Sequence, residues 1–338
     1  MGGAQSTLPE LWFMLLGFIL LLYTMLDGFD LGVGILSLFI RKEEDRGILM
    51  GSLGTVWDAN ETWLVLFGGI IFGAFPLVYG LVMSSLYLPL ILMLVGLIFR
   101  AVSFEFRVHS ERKRLWSRAF GWGSVAAAVG QGFAFGGLLW GINIVNRKFV
   151  GGVFDWFTPF SVIVTIGILG GYALIGSTYI IMKTEGELQA SARKFGFRAV
   201  FVTAICAVVD TILAVIKYPF LMEKWFRFPG LLFTAIPFVV CGVSFILMIY
   251  GMLKGRDRTP FFSALVFAFF GYLAMSANYF PVIVPPSLTI YQTAASAYTQ
   301  RIMLIAVLIA LPFLLAYNIF QYWIFRGKVR GNLYEEDE

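Results

Sequence analysis

Nine runs of continuously apolar residues, each long enough to cross a bilayer as a helix, constrain this chain more than any other feature. They cover 11–40, 62–82, 84–105, 118–143, 157–182, 197–217, 231–253, 261–283 and 302–325, with a tight bend near Ser84-Ser85 between the second and third. Within lipid every backbone N–H and C=O must find its partner inside the protein, so such runs become helices. A transmembrane barrel would need alternating segments, and these runs do not alternate. Composition agrees, with 59% hydrophobic and 13% charged residues among 338 and a mean hydropathy of +0.84. The expected fold class is an all-α polytopic membrane protein with nine transmembrane helices, in which residues 1–338 form a single transmembrane domain.

The pI near 9.1 invites a nucleic-acid partner, but the placement of the charges argues against one. They flank the apolar runs and so point to membrane lipid instead. The connections after runs one, three, five and seven, together with the C-terminal tail, hold eighteen Lys and Arg residues, among them Arg41, Arg112, Arg193, Arg256 and Lys328. The opposite side holds six: Arg147, Lys148, Lys217, Lys224, Arg227 and Arg301. The positive-inside rule then sets the N-terminus out and the C-terminus in, with 326–338 as a short cytoplasmic tail whose last residues are acidic and expected to fray. Cys206 and Cys241 both lie within apolar runs, which suits neither a disulfide framework nor a zinc site. No removable signal peptide is expected, and the match of Met1-Gly2 through Ser6 to a myristoylation pattern is ascribed to chance.

Inside the first run stand two carboxylates, Asp27 and Asp30, in Leu26-Asp27-Gly28-Phe29-Asp30-Leu31-Gly32-Val33-Gly34. At about 1.5 Å per residue they lie roughly 21 and 16 Å along the axis from Arg41, the next charge. A carboxylate at that depth costs about 2.5 kcal/mol or more, and intramembrane acids are functional by default. Their i, i+3 spacing puts both on one face. The functional reading is a proton-handling or cation site reached from inside; the plainer one is a structural carboxylate satisfied by a neighbouring helix. Gly28, Gly32 and Gly34 would let another backbone approach closely.

A second acidic stretch, Trp57-Asp58-Ala59-Asn60-Glu61-Thr62-Trp63, opens the second run. Asp58 reads either as the N-cap of that helix or as the mouth of a hydrophilic path towards Asp27 and Asp30. Arg100 and Glu105 end the third run. They are five residues apart, too far for an ideal helical pair, so Arg100 either snorkels to headgroups or neutralises a carboxylate on another helix. Asp210 and Lys217 share a face of the sixth run and read as a structural pair or an outer water pocket.

Haem, iron and copper sites lean on imidazole, yet this chain has a single histidine, His109, in the basic stretch Arg107 to Arg114. No metal-ligand spacing, phosphate-binding glycine loop or hydrolytic triad is legible. If the protein works in redox chemistry, a partner must hold the cofactors.

The two acidic stretches, with Phe99-Arg100-Ala101-Val102, Phe104-Glu105-Phe106-Arg107, Thr184-Glu185-Gly186-Glu187-Leu188 and Phe280-Pro281 through Pro286-Ser287, occur in order along almost the whole chain. In this the sequence resembles subunit II of cytochrome bd-type quinol oxidases. The resemblance implies a cell-membrane complex that oxidises quinol outside and reduces oxygen to water with protons from inside. Subunit I would carry haem b and, in many members, haem d. Subunit II would form two four-helix bundles plus one peripheral helix and ligate no haem. Carried across residue by residue, Asp27, Asp30 and Asp58 match acids assigned to a proton pathway, to which Glu105 is added, with Arg100, Trp57, Asn60 and Glu61 in support. Trp63 matches the place of an oxygen path. The connection Lys217 to Pro229 is short and Pro286 adjoins Ser287, so a structural quinone held in this subunit is not expected. Two other classes remain open: a proton- or cation-coupled secondary transporter, and a purely structural assembly subunit.

Overall fold

A computed structural model describes residues 7–329; the myristoylation-like pattern and the acidic end of the tail lie outside the described residues. The chain runs through α1 (Leu8–Ser37), α2 (Glu43–Gly51), α3 (Trp57–Ala74), α4 (Pro76–Ser85), α5 (Tyr87–His109) and α6 (Lys113–Trp140). A small hairpin, β1 (Ile144–Val145) and β2 (Lys148–Phe149), leads to α7 (Pro159–Lys183) and α8 (Gly186–Lys217). Then come α9 (Phe220–Phe226), α10 (Gly230–Leu253), α11 (Thr259–Tyr279), a second hairpin of β3 (Val282–Val284) and β4 (Leu288–Thr289), α12 (Ile290–Thr293) and α13 (Ala297–Ile324). Eight helices among the described residues are long and apolar enough to cross a membrane, or nine if the bent pair α3 and α4 forms one span.

The second run is therefore not one straight helix over 62–82. It breaks at Phe75, and the two halves differ in direction by 117°. Pro76 supplies the reason: it lacks an N–H and excludes the helical conformation at the residue before it, and Phe75 has φ −132 and ψ 62. The expected bend at Ser84-Ser85 is also present, where α4 ends and α5 begins. The first helix stops at Ser37 rather than Ile40, because Arg46 folds back and donates its Nε to the Ser37 and Ile40 carbonyls, at 3.2 and 2.9 Å. Elsewhere the ends follow local chemistry. Thr158 and Ser161 form a capping box ahead of α7, and α6 ends at Gly141, whose φ of +105 few other residues adopt.

Large apolar side chains such as Ile205, Phe238, Ile246, Phe313 and Trp323 stand exposed along α8, α10 and α13, as lipid-facing surfaces do. In lipid those side chains gain nothing from leaving water, so helix association must rest on close packing and polar contacts. The tightest approach is between α1 and α7. The Gly32 backbone lies against the Tyr172 carbonyl and the Gly176 amide, and Gly34 sits against the Ser124 side chain of α6. Further pairs are α5 with α6, α7 with α8, α10 with α11, α1 with α3, and α3 with α13.

At the end where α1 finishes, ion pairs tie the connections together. Lys42 meets Glu187 at 2.7 Å, and that hydrogen bond pushes the lysine up and holds the carboxyl below its usual range. The segment after α13 is anchored by Lys328 to Asp257 and Glu185, at 2.9 and 3.1 Å, and by a backbone bond from Val329 to Lys183. Asp257 also accepts from Arg193 and Gln189. Its carboxyl is held below the usual aspartate range, first by the Lys328 hydrogen bond. A depressed carboxyl contributes above the unfolded value of about 3.9 and is lost as pH falls through the folded one, so the tether holds at neutral pH. Asp257→Asn is expected to loosen it, seen as faster trypsin cleavage after Arg326 and Lys328; unchanged cleavage would count against the tether.

Candidate functional site

Three helices bring the acidic stretches together. Asp27 and Asp30 on α1 are buried, and so is Arg100, with no measurable exposure, on α5. Arg100 donates Nη1 to Asp27 Oδ1 at 2.5 Å and Nη2 to Glu61 Oε2 of α3 at 3.2 Å. One guanidinium thus holds carboxylates from two neighbouring helices. Asp30 is treated differently: its Oδ2 accepts from Asn60 Nδ2 of α3 at 2.9 Å, and Asn60 Oδ1 accepts from the Tyr322 hydroxyl of α13 at 2.7 Å. Asp27 Oδ2, Asp30 Oδ1 and Arg100 Nε have no hydrogen-bond partner among the described residues. Both ions of the Arg100–Asp27 pair are out of water, which costs several kcal/mol per ion, so the pair is favourable only because each charge meets the other at short range.

Arg100 therefore does not snorkel; it neutralises Asp27. Asp58 is exposed in the first turn of α3, but it is not the N-cap. Val56 occupies that position and no side-chain cap bond forms. Asp58 stands three residues before Glu61 on the same face, which leads from the exposed start of α3 to the buried guanidinium. Glu105 is exposed and is not brought to the cluster. Trp57 stacks on Phe104, with ring centroids 5.2 Å apart and planes 6° from parallel. Trp63 is buried and donates Nε1 to Asn318 Oδ1 at 3.3 Å. Asp210 and Lys217 do not pair: the ammonium lies 4.4 Å from the centre of the Trp140 ring, and Asp210 Oδ1 has no partner among the described residues. Seven residues put the two side chains roughly 10 Å apart along the axis, and the nearer aromatic face captured the cation.

Several polar residues escaped the sequence reading. Tyr322 and Asn318 come from the last helix, four residues apart on one face, a signal present in an otherwise apolar run. Beside Asp27, Tyr172 donates to Gln131 Oε1 and Gln131 donates to the Tyr23 hydroxyl, both at 2.6 Å, linking α7, α6 and α1. His109 ends α5, exposed, with Nδ1 3.1 Å from the Glu105 carbonyl. A haem iron needs an axial ligand facing a cavity large enough for the macrocycle, and an exposed imidazole at a helix end does not fit that role.

The arrangement can hold charge and exchange protons within a membrane protein. What chemistry such a cluster serves is a question for its relatives. The family model described as cytochrome bd terminal oxidase subunit II matches residues 8–325. The cytochrome bd-I ubiquinol oxidase subunit 2 of Escherichia coli (strain K12) is 29% identical, covering 98% of this chain and 97% of its own length. The cytochrome bd ubiquinol oxidase subunit 2 of Bacillus subtilis (strain 168) is also 29% identical, over 96% of this chain and 98% of its own. In fold, a chain of the bd oxidase from Geobacillus thermodenitrificans superposes with a TM-score of 0.77 over 95% of this chain and 99% of that one, at 19% identity. A family match over nearly every described helix, with both acidic stretches meeting in one buried cluster, leads to one conclusion: the chain belongs to the cytochrome bd terminal oxidase subunit II family.

Proposed function

We propose that this chain is the non-haem-ligating subunit of a quinol oxidase in the respiratory chain of the cell membrane, and that its buried acidic cluster supplies part of the proton path. Family membership makes it a component of such a complex and sets aside the cation-coupled transporter. The observation that carries the proton reading is the convergence of Asp27, Asp30 and Glu61 around Arg100, one helical turn from the exposed Asp58. Protons would enter at Asp58, pass Glu61, and reach the aspartates on the way to the oxygen-reducing centre in subunit I. Haem b and haem d belong to subunit I in this reading, because His109 is unsuited to ligation. Quinol and oxygen are substrates of the complex rather than of this chain alone. Trp63, buried where α3 meets α13, is the residue proposed to border an oxygen path.

The proposed architecture is two four-helix bundles, α1 with α3, α5 and α6, and α7 with α8, α10 and α11, with α13 peripheral against α3. The helix contacts support it. The N-terminus is placed outside and the C-terminus inside on the distribution of Lys and Arg. The purely structural reading retains one observation in its favour, that Asp27 is already committed to Arg100. Asp58→Asn separates the two. Because Asp58 makes no cap bond, the substitution forfeits only a helix-dipole contribution of about 0.3–1 kcal/mol. Oxygen consumption driven by quinol should fall several-fold with haem content intact. Equal turnover across pH would favour the structural reading.

A further inference from the structure

Resting on the proton-path reading above, we infer that the two intramembrane aspartates divide the work: Asp30 carries and exchanges the proton, Asp27 stays a fixed anion, and Asn60 with Tyr322 are the positioning residues that hold Asp30 in that role. The argument begins with a count of charges. Three carboxylates, Asp27, Asp30 and Glu61, gather around one guanidinium, so full ionisation would leave two uncompensated negative charges in a site of low dielectric. One of the three must hold a proton. Arg100 commits Nη1 to Asp27 and Nη2 to Glu61, and among the described contacts it makes no hydrogen bond to Asp30. The Glu61 side chain keeps 23% of its surface exposed and its charge stays hydrated, whereas Asp27 has none exposed and is matched by the cation. Asp30 is 1% exposed, and among the described residues no cation bonds to it.

The orientation of Asn60 decides which oxygen of Asp30 is left for that proton. Its amide nitrogen faces two acceptors, Asp30 Oδ2 at 2.9 Å and the Leu26 carbonyl at 3.4 Å, while its oxygen accepts from Tyr322. Turned over, the amide would set an oxygen against two oxygens and leave the Tyr322 hydroxyl opposite an NH2 group. Tyr322 therefore fixes which end of Asn60 Asp30 meets, and Asp30 receives one neutral hydrogen bond on Oδ2. Its other oxygen, without a partner among the described residues, is where the proton sits and leaves. Among the described residues, the remaining titratable groups facing Asp30 add no cation. Tyr179 of α7 donates to the Ser52 carbonyl at 3.0 Å, and Tyr322 is committed to Asn60. The transfer moves only a proton: one is taken on Oδ1 from the Asp58 side and one is released towards the partner subunit. Asn60 cannot relay it, since an amide does not readily exchange its hydrogens, so Asn60 positions without conducting.

The test is infrared spectroscopy of the assembled two-subunit oxidase as pH is stepped, following the C=O stretch of a protonated carboxyl, with haem content and oxygen consumption measured alongside. Asp30→Asn should remove that band and Asp30→Glu should shift it, whereas Asp27→Asn and Glu61→Gln, each with one anion fewer beside Arg100, should lower its titration midpoint and keep the band at low pH. Tyr322→Phe removes one hydroxyl and should shift the band and its titration midpoint at unchanged haem content, which a merely structural role would not do. A band that survives Asp30→Asn, or that cannot be recovered at low pH in Asp27→Asn, would overturn the inference. If Asp30→Asn fails to assemble, Tyr322→Phe decides, and an unmoved band and midpoint there would overturn it. Loss of the band in Asp30→Asn with full turnover would instead refute the proton path and leave the protonation of Asp30 standing.

Discussion

Replacing Arg100 with leucine is expected to cost most of the assembled, haem-loaded complex, the largest effect of any single substitution at the cluster. The guanidinium is fully buried and, among the described residues, is the one cation bonded to Asp27, so its removal strands a desolvated carboxylate. Breaking a buried pair on one side costs about 3–5 kcal/mol, a large part of what holds a domain together. Removing both charges is another matter, because an apolar pair of similar volume restores much of the loss. The double substitution Arg100→Leu with Asp27→Leu should therefore regain assembly while failing to regain turnover. Arg100→Lys should fall between, since an ammonium cannot span Asp27 and Glu61 as the fork of Arg100 does. Haem content per complex and thermal aggregation measure the first quantity and oxygen consumption the second. A single leucine variant that assembles normally would show that Arg100 does not hold the cluster.

A comparable loss is expected from the smallest substitution available on α1, Gly32→Ala. The added methyl would fall against the Tyr172 carbonyl oxygen and within 2.9 Å of the Gly176 amide, both backbone atoms of α7 that cannot swing aside. Overpacking a rigid contact costs about 1–3 kcal/mol and occasionally more, and here it would separate the two helices that carry Asp30 and Tyr179. Gly242→Ala on α10 is the control, because nothing stands within 4 Å of the position its Cβ would take. The expected pair is a lowered midpoint of thermal aggregation for Gly32→Ala and none for Gly242→Ala. Equal midpoints would mean that α1 and α7 can slide apart without penalty.

The sequence by itself determined that the chain spans a membrane as helices, and where nearly all of them lie. Lipid offers no partner to the backbone, so a run such as 231–253 has one solution. It also determined that Asp27 and Asp30 share a face, because helical spacing fixes it, and it marked Gly28, Gly32 and Gly34 as places where another backbone could approach closely. Its motifs sufficed to recognise the family. Tertiary structure alone decided which cation meets which acid, since spacing along one helix says nothing about which helices face each other. Arg100 and Asp27 are 73 residues apart, and Tyr322 meets Asn60 across 262. Asp210 and Lys217, aligned on one face yet unpaired, show the converse: a shared face is not a contact when a ring on another helix lies nearer to the charge. The bend at Phe75 was written locally in Pro76 but was outweighed by the apolar run around it. The Asp58 cap failed because the helix starts two residues early, at Trp57, whose ring stacks on Phe104, and Val56 takes the cap position instead.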